Sequence, residues 1–175
     1  HPPTSPTHLP TYPPMPTRRA HSVHLTAPTE ALLRRGTLLL EDALHTASLP
    51  EGSRLLLIRR LDVGRIQPRR SAAALALTIE QQMQRVIPIP ARNPAAATAA
   101  AVTFEDPLEP YTLLCQTLAQ GHRPSAWFWP AAVPQWEPHQ SPQETYRQIL
   151  VHLAQQPQGV LALAQLLHHL QQHHA

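Results

Sequence analysis

The sequence predicts an α+β fold, in which a small strand–helix–strand–helix unit follows an extended Pro-rich N-terminal arm and precedes a three-helix all-α unit. Three observations lead to this class. Prolines are concentrated in the first seventeen residues, one dense aliphatic run has the composition of a strand, and later segments repeat apolar residues at helical spacing. The predicted divisions are an arm at 1–19, an α/β unit at 20–87, a Pro/Ala linker at 88–103 and a helical unit with a tryptophan loop at 104–175.

The N-terminal arm contains "HPPTSPTHLPTYPPMPT", in which proline recurs every two to four residues. Proline removes backbone donors and favours polyproline II, so neither a helix nor a central strand is expected here. Such an arm is either disordered or laid along the surface of a partner. In the second case Tyr12 and Met15 are the side chains expected to anchor it.

The α/β unit begins with residues 20–26, whose alternating polar and apolar side chains predict a short strand. An amphipathic helix follows, and "RLLLIRRLDVGRI" is the best candidate for a second strand. Ser71 is the expected N-cap of a second helix that ends before "PIP". If the two strands are parallel neighbours, their crossover is right-handed. Because two strands alone form a weak sheet, a partner chain or the C-terminal helices should cover it.

The helical unit has local start and stop signals. Either Pro107 or Pro110 opens its first helix, and Gly121 is the expected C-cap. Ser141 is the expected N-cap of the next helix, with Glu144 completing a capping box. A break at residues 157–159 then separates the last helix.

Composition narrows the classes of function. The chain has 175 residues, 42% of them hydrophobic, with 21 prolines and only 14% charged residues, which favours extended segments and apolar contacts with other molecules. All fourteen basic residues are arginines, and most precede residue 93, whereas the tryptophans follow it. Nucleic-acid binding, which combines basic residues with stacking aromatics, is therefore not the first expectation. No apolar run is long enough to span a membrane.

No catalytic residue, metal site or cofactor is predicted. The single cysteine, Cys115, lies among apolar residues and is interpreted as a small buried hydrophobe, because no local signature supplies a base. His169 and His173 have the i, i+4 spacing that could hold a divalent ion, but no acidic or cysteine partner lies nearby. The protein is therefore predicted not to be an enzyme.

All three tryptophans lie in "WFWPAAVPQW", in a chain with few aromatics. Three tryptophans are hard to bury in so small a unit, so at least one is expected inside and at least one in an intermolecular contact. With the two residues of the arm, the predicted interface residues are Tyr12, Met15, Trp127, Phe128, Trp129 and Trp136.

Two stretches resemble the tape-measure-type proteins of contractile injection systems, the phage-tail-like particles. In "LLLIRRLDVGRI", Leu61, Gly64 and Ile66 match an apolar strand that ends in a hydrophobic–glycine–hydrophobic pattern. In "LLCQTLAQGHRPSAWFWPA", a short helix is followed by a glycine, a proline and a pair of tryptophans. The residues in those places are Gly121, Pro124, Trp127 and Trp129. The resemblance covers about residues 20–87 and 108–170.

The resemblance implies a non-enzymatic structural or assembly component that docks at the tube, hub or baseplate of such a particle. Its partners would be other protein subunits of a large assembly or further copies of itself. Its location would be a cytoplasmic assembly or a released or membrane-contacting particle. The alternative is a soluble Arg-rich adaptor or a nucleic-acid-associated binding module that uses the arginine pairs, such as Arg59–Arg60 and Arg69–Arg70.

Overall fold

The computed structural model describes residues 18–49, 54–67 and 69–173, with side chains placed as far as His168. Tyr12 and Met15 therefore lie outside the described residues. The fold class is α+β, as predicted. The helices are α1 (Glu30–Thr46), α2 (Ala72–Gln84), α3 (Glu109–Ala119), α4 (Trp129–Ala132), α5 (Pro142–Ala154) and α6 (Gly159–His173), and the strands are β1 (Leu55–Ile58), β2 (Ile89–Pro90) and β3 (Ala101–Phe104).

The helices α1, α2 and α5 begin after a residue whose side chain accepts a hydrogen bond from one of their first amides. The Ser71 hydroxyl accepts a hydrogen bond from the Ala74 N–H (3.2 Å), and the Ser141 hydroxyl accepts one from the Glu144 N–H (3.3 Å), as N-caps do. Both N-caps were expected from the sequence. The carboxylate of Glu144 does not complete a capping box; it accepts a hydrogen bond from the guanidinium of Arg147 (2.9 Å) instead.

The sheet has the strand order β1–β3–β2. β3 is central and pairs antiparallel with β1, with Leu55 opposite Phe104, and parallel with β2, with Ile89 opposite Val102. Pro90, which cannot donate a backbone hydrogen bond, lies on the edge strand, where this is tolerated. Val102 and Phe104 are fully buried, so the central strand anchors the sheet to the core.

Two expectations about the sheet are wrong. Residues 20–26 form no strand, and the predicted linker, residues 88–103, contains β2, β3 and a short 3-10 helix at Pro94–Ala97. The principal strand pair is therefore antiparallel and not a parallel pair joined by a crossover helix. β3 was missed because "AAATAAAVT" is rich in alanine, whereas strand formation here depends on pairing with β1, more than forty residues away in sequence.

The apolar side chains form two separate clusters. The large core contains buried residues of β3, α3, the tryptophan loop, α5 and α6, with Leu55 and Leu57 of β1 packed against it. The small core consists of Ala43, Ala47, Leu75, Ala76 and Ile79 of the α1–α2 region. The two clusters share no residue, and the chain alternates between them: α1 lies in the small core, β1 packs against the large core, α2 returns to the small core, and the chain after α2 belongs to the large core.

Among the described residues, no helix is both long enough and apolar enough to cross a lipid bilayer.

Candidate protein-interaction surface

The end of α3 directs the chain into the tryptophan loop. Gly121 adopts a positive φ of 73°, and the N–H groups of Gly121 and His122 donate to the carbonyl oxygens of Leu118 (3.0 Å) and Thr117 (3.1 Å). A left-handed residue with these two bonds is how many helices end, and glycine adopts that conformation without strain. The C-cap itself is Gln120, so the predicted cap is one residue late, although Gly121 ends the helix as the left-handed residue that follows the cap. Pro124 lies half-buried three residues later.

Three of the predicted interface residues lie inside the large core. Phe128, Trp129 and Trp136 are only 3%, 4% and 8% exposed. The Phe128 ring packs edge-on against Phe104 of β3, with 5.8 Å between ring centroids, and lies 4.9 Å from the Trp129 ring. These side chains face the interior of this chain, so an interface function for them would require the core to open.

Trp127 is the most exposed of the four aromatic residues in the loop. Its ring is half-buried, and its indole N–H donates a hydrogen bond to the backbone carbonyl of Ala99 (3.1 Å), which ties the loop to the segment before β3. A tryptophan with one apolar face packed and another face open is common at interfaces. Contact between Trp127 and another chain therefore stays a prediction.

The second group of motif residues forms a turn on the small core. Leu61 and Ile66 pack against that cluster, and Gly64 between them adopts a positive φ of 67°. The Asp62 carboxylate accepts a hydrogen bond from the Gly64 N–H (2.8 Å), which closes the turn. The predicted strand therefore ends earlier than the sequence suggested: β1 stops at Ile58, and Gly64 lies in a turn and not at the end of a strand.

Cys115 is fully buried in the large core, and burial raises the pKa of its thiol to about 12. The thiolate needed for nucleophilic attack is therefore rare at neutral pH. The side chains of His169 and His173 lie outside the described residues. Among the side chains that are described, no group of three or more His, Cys, Asp or Glu residues is placed to hold a metal ion.

Five of the ten large apolar residues that are exposed in the described part of the chain lie on the helical hairpin formed by α5 and α6, although the most exposed of the ten, Ile87 (85%), lies between α2 and β2. We call this set the hairpin surface, and it consists of Leu150, Val151, Val160, Leu161 and Leu167. Val160 and Leu161 are 77% and 65% exposed, which is unusual for side chains of this size.

Connectivity places most of the hairpin surface at one end of the hairpin. Leu150 and Val151 lie close to the end of α5, and Val160 and Leu161 lie in the first turn of α6, with only residues 155–158 between the helices. Grouped exposed aliphatics of this kind are typical of surfaces that contact other proteins. The sequence "VLALAQLLHHL" already contained a signal, because its apolar residues cover more than one face of a helix.

Comparisons with protein-family models, curated proteins and solved structures find no match to this chain.

Proposed function

We propose that this chain is a non-enzymatic subunit of a multi-protein assembly, and that it binds its neighbours through the hairpin surface. The observation that carries the proposal is the exposure of five aliphatic side chains on two helices that pack against each other. Covering the exposed half of such a side chain contributes roughly 1 kcal/mol, so five of them supply much of a stable contact. Trp127, half-exposed on the same core, is a second point of contact.

We propose further that the assembly is a contractile, phage-tail-like injection particle, in which this subunit docks at the tube, hub or baseplate. The support is the resemblance at Leu61, Gly64 and Ile66 and at Gly121, Pro124 and the two tryptophans. In both stretches the glycine has a positive φ, which is a physical reason for a motif to require glycine there. The subunit would then belong to a cytoplasmic assembly or to a particle that is released or contacts a membrane.

The hairpin surface is tested with the purified full chain. The double variant Val160→Glu/Leu161→Glu places two charges on the surface, and size-exclusion chromatography with light scattering measures the mass. We expect the native protein to form a complex larger than 19.5 kDa and the variant to shift to the monomer mass. The matched control is Leu38→Glu on α1, a leucine that is 63% exposed but outside the hairpin surface, which should leave the mass unchanged.

The particle is tested by native purification of the protein from its source without overexpression. We expect a megadalton assembly that contains sheath-like and tube-like proteins and loses this subunit when Val160 and Leu161 are replaced. A small stable complex without such proteins would agree with the proposal that this chain is a subunit of an assembly, but it would show that the assembly is not an injection particle. A monomer both in purified form and in the native extract would reject both proposals.

A further inference from the structure

The loop between β1 and α2 forms an open pocket of about 240 Å³ that is lined by four polar side chains. They are Arg65, Gln67, Arg69 and Arg70, and we call this site the arginine pocket. Water occupies about 30 Å³ per molecule in the liquid, so the pocket has room for a small anion and some of its hydration.

The backbone gives the loop a defined shape. The Arg70 N–H donates a hydrogen bond to the carbonyl oxygen of Gln67 (3.0 Å), which links two of the residues that line the pocket. On the other side of the loop, Leu61, Val63 and Ile66 pack against the small core. These apolar residues hold the loop on the protein.

Arg70 is the most constrained of the three arginines. It is half-buried, and its Nη2 group donates to the Thr78 hydroxyl and to the backbone carbonyl of Ala74 (3.2 Å), both on α2. No hydrogen bond within the described part of the chain uses its Nε or Nη1 group. A guanidinium held in this way loses little side-chain entropy when its remaining N–H groups bind a ligand.

The charge around the pocket is strongly unbalanced. Residues 54–70 contain six arginines and one carboxylate, Asp62, whereas the rest of the sequence has eight arginines and ten carboxylates. The Asp62 side chain is engaged in the turn at Gly64. Within residues 18–49, 54–67 and 69–168, no carboxylate forms an ion pair with Arg65, Arg69 or Arg70. The positive charge of the pocket is therefore not neutralised by those parts of the protein.

We propose that the arginine pocket binds a phosphate group. Guanidinium groups present their N–H donors in a planar fork that matches two oxygens of a phosphate, and the Gln67 amide adds a neutral donor. Three guanidinium groups suit a phosphate better than a single carboxylate, which has less charge and only two acceptor oxygens. α2 begins at Ala72, shortly after the last residue of the pocket, and has no acidic residue in its first turn that would repel an anion.

The phosphate belongs either to a free phosphate or phosphomonoester, or to the backbone of a nucleic acid. Both supply the same oxygens to the pocket. They differ in how many phosphates contact the protein, and therefore in how binding depends on salt.

The first arm of the test titrates the full chain with inorganic phosphate by isothermal titration calorimetry. The variant Arg65→Gln/Arg69→Gln removes two charges from the pocket. Its matched control is Arg35→Gln/Arg85→Gln, which removes the same charge from exposed positions outside the pocket. We expect saturable binding that weakens at least tenfold in the pocket variant and less than twofold in the control. Circular dichroism should show that both variants remain folded, since all four side chains are exposed.

The second arm measures fluorescence anisotropy of a labelled single-stranded DNA oligonucleotide between about 50 and 200 mM salt. The slope of log Kd against log salt concentration reports how many phosphates the protein contacts. If this slope is lower by more than 1 in the pocket variant than in the native protein, and unchanged in the control, the phosphate belongs to a nucleic acid. Pocket-specific loss of inorganic phosphate binding, with equal DNA binding by all three proteins, would assign it to a free phosphate or monoester. If the pocket variant and the control behave alike toward both ligands, or if neither ligand binds, the proposal is wrong.

Discussion

Cys115 shows how a single buried side chain limits the chemistry of this protein. Its thiol is fully buried in the large core, where burial raises its pKa to about 12. We expect the native protein to react with Ellman's reagent at about pH 8 far more slowly than the protein unfolded in guanidinium chloride, because the reagent requires an accessible thiolate. Equal rates for the two states would show that Cys115 is accessible and would reopen a nucleophilic function.

The same pKa shift predicts a pH dependence of stability. A thiol in the unfolded chain has a pKa of about 8.5, so the folded state holds this proton more tightly. The contribution of this raised pKa to the free energy of unfolding is complete below about pH 8.5 and is lost progressively as the pH rises toward 12. At about pH 10 the loss corresponds to about 2 kcal/mol.

The measurement is the free energy of urea unfolding at neutral pH and at about pH 10 for the native protein and for Cys115→Ala. The variant lacks the titrating thiol, so its stability should fall less between the two pH values. The pKa of Tyr111 is also raised, chiefly by burial, and this contribution is present in both proteins and largely cancels. The pKa of Tyr146 is raised chiefly by burial and in part by the charge of Cys115, so the variant also loses part of the Tyr146 contribution, which changes stability in the same direction. If the free energy of unfolding falls equally in the two proteins, the thiol of Cys115 is not the cause of the loss.

The aromatic residues show what sequence reasoning can and cannot establish about a side chain. The concentration of tryptophans in one loop was visible in the sequence, and so was the expectation that at least one is inside. Which face of the loop turns inward depends on contacts made far along the chain, such as Phe128 with Phe104 and the indole of Trp127 with Ala99. No local pattern contains that information.

At the scale of the elements, two helical glycines differ in whether their positions have room for a side chain. A Cβ atom at Gly159, the first residue of α6, would lie 1.5 Å from the carbonyl oxygen of Leu153 in α5. A Cβ atom at Gly36, in the middle of α1, would meet nothing within 4 Å. The close approach at Gly159 allows α6 to begin directly against the end of α5, whereas nothing requires glycine at position 36.

These contacts predict opposite effects of the same substitution. Gly159→Ala should destabilise the protein by roughly 2 kcal/mol or more, because the atoms in the way belong to backbone and cannot rotate aside. Gly36→Ala should stabilise it by about 0.5–1 kcal/mol, because alanine has the higher helix propensity. Urea unfolding of the two variants checks both signs. A neutral Gly159→Ala variant would mean that the α5–α6 connection is not this close.

Element boundaries were predictable where the signal is local. Ser71 and Ser141 accept hydrogen bonds from amides three residues away, and the structure confirms both as N-caps. Gly121 ends α3 one residue after its C-cap, Gln120. The strands were predictable only in part. β1 is an aliphatic run, but β3 consists of "AVTF" after an alanine-rich stretch and becomes a strand through pairing with β1. The alternation in residues 20–26 finds no such partner, so the local pattern is not sufficient there.

At the scale of the whole molecule, the two candidate surfaces are linked to different cores. The hairpin surface lies on helices of the large core, whereas the arginine pocket lies on a loop fixed to the small core. The sequence showed the arginine pairs and the apolar C-terminal helix, but not which arginines share a pocket or which leucines remain exposed. Both depend on how the loop and the hairpin fold back on their cores.

The separation of the cores predicts that they respond independently to mutation. All three tryptophans pack in the large core, so fluorescence reports on that cluster, whereas circular dichroism reports on every helix. Leu75→Ala, in the small core, should cost about 2–5 kcal/mol locally and shift part of the helical signal to lower urea without moving the fluorescence midpoint. The matched variant Leu114→Ala, in the large core, should lower the fluorescence midpoint. If Leu75→Ala moves both signals together, the cores unfold as one cooperative unit, and the contacts that join them are stronger than the two separate clusters indicate.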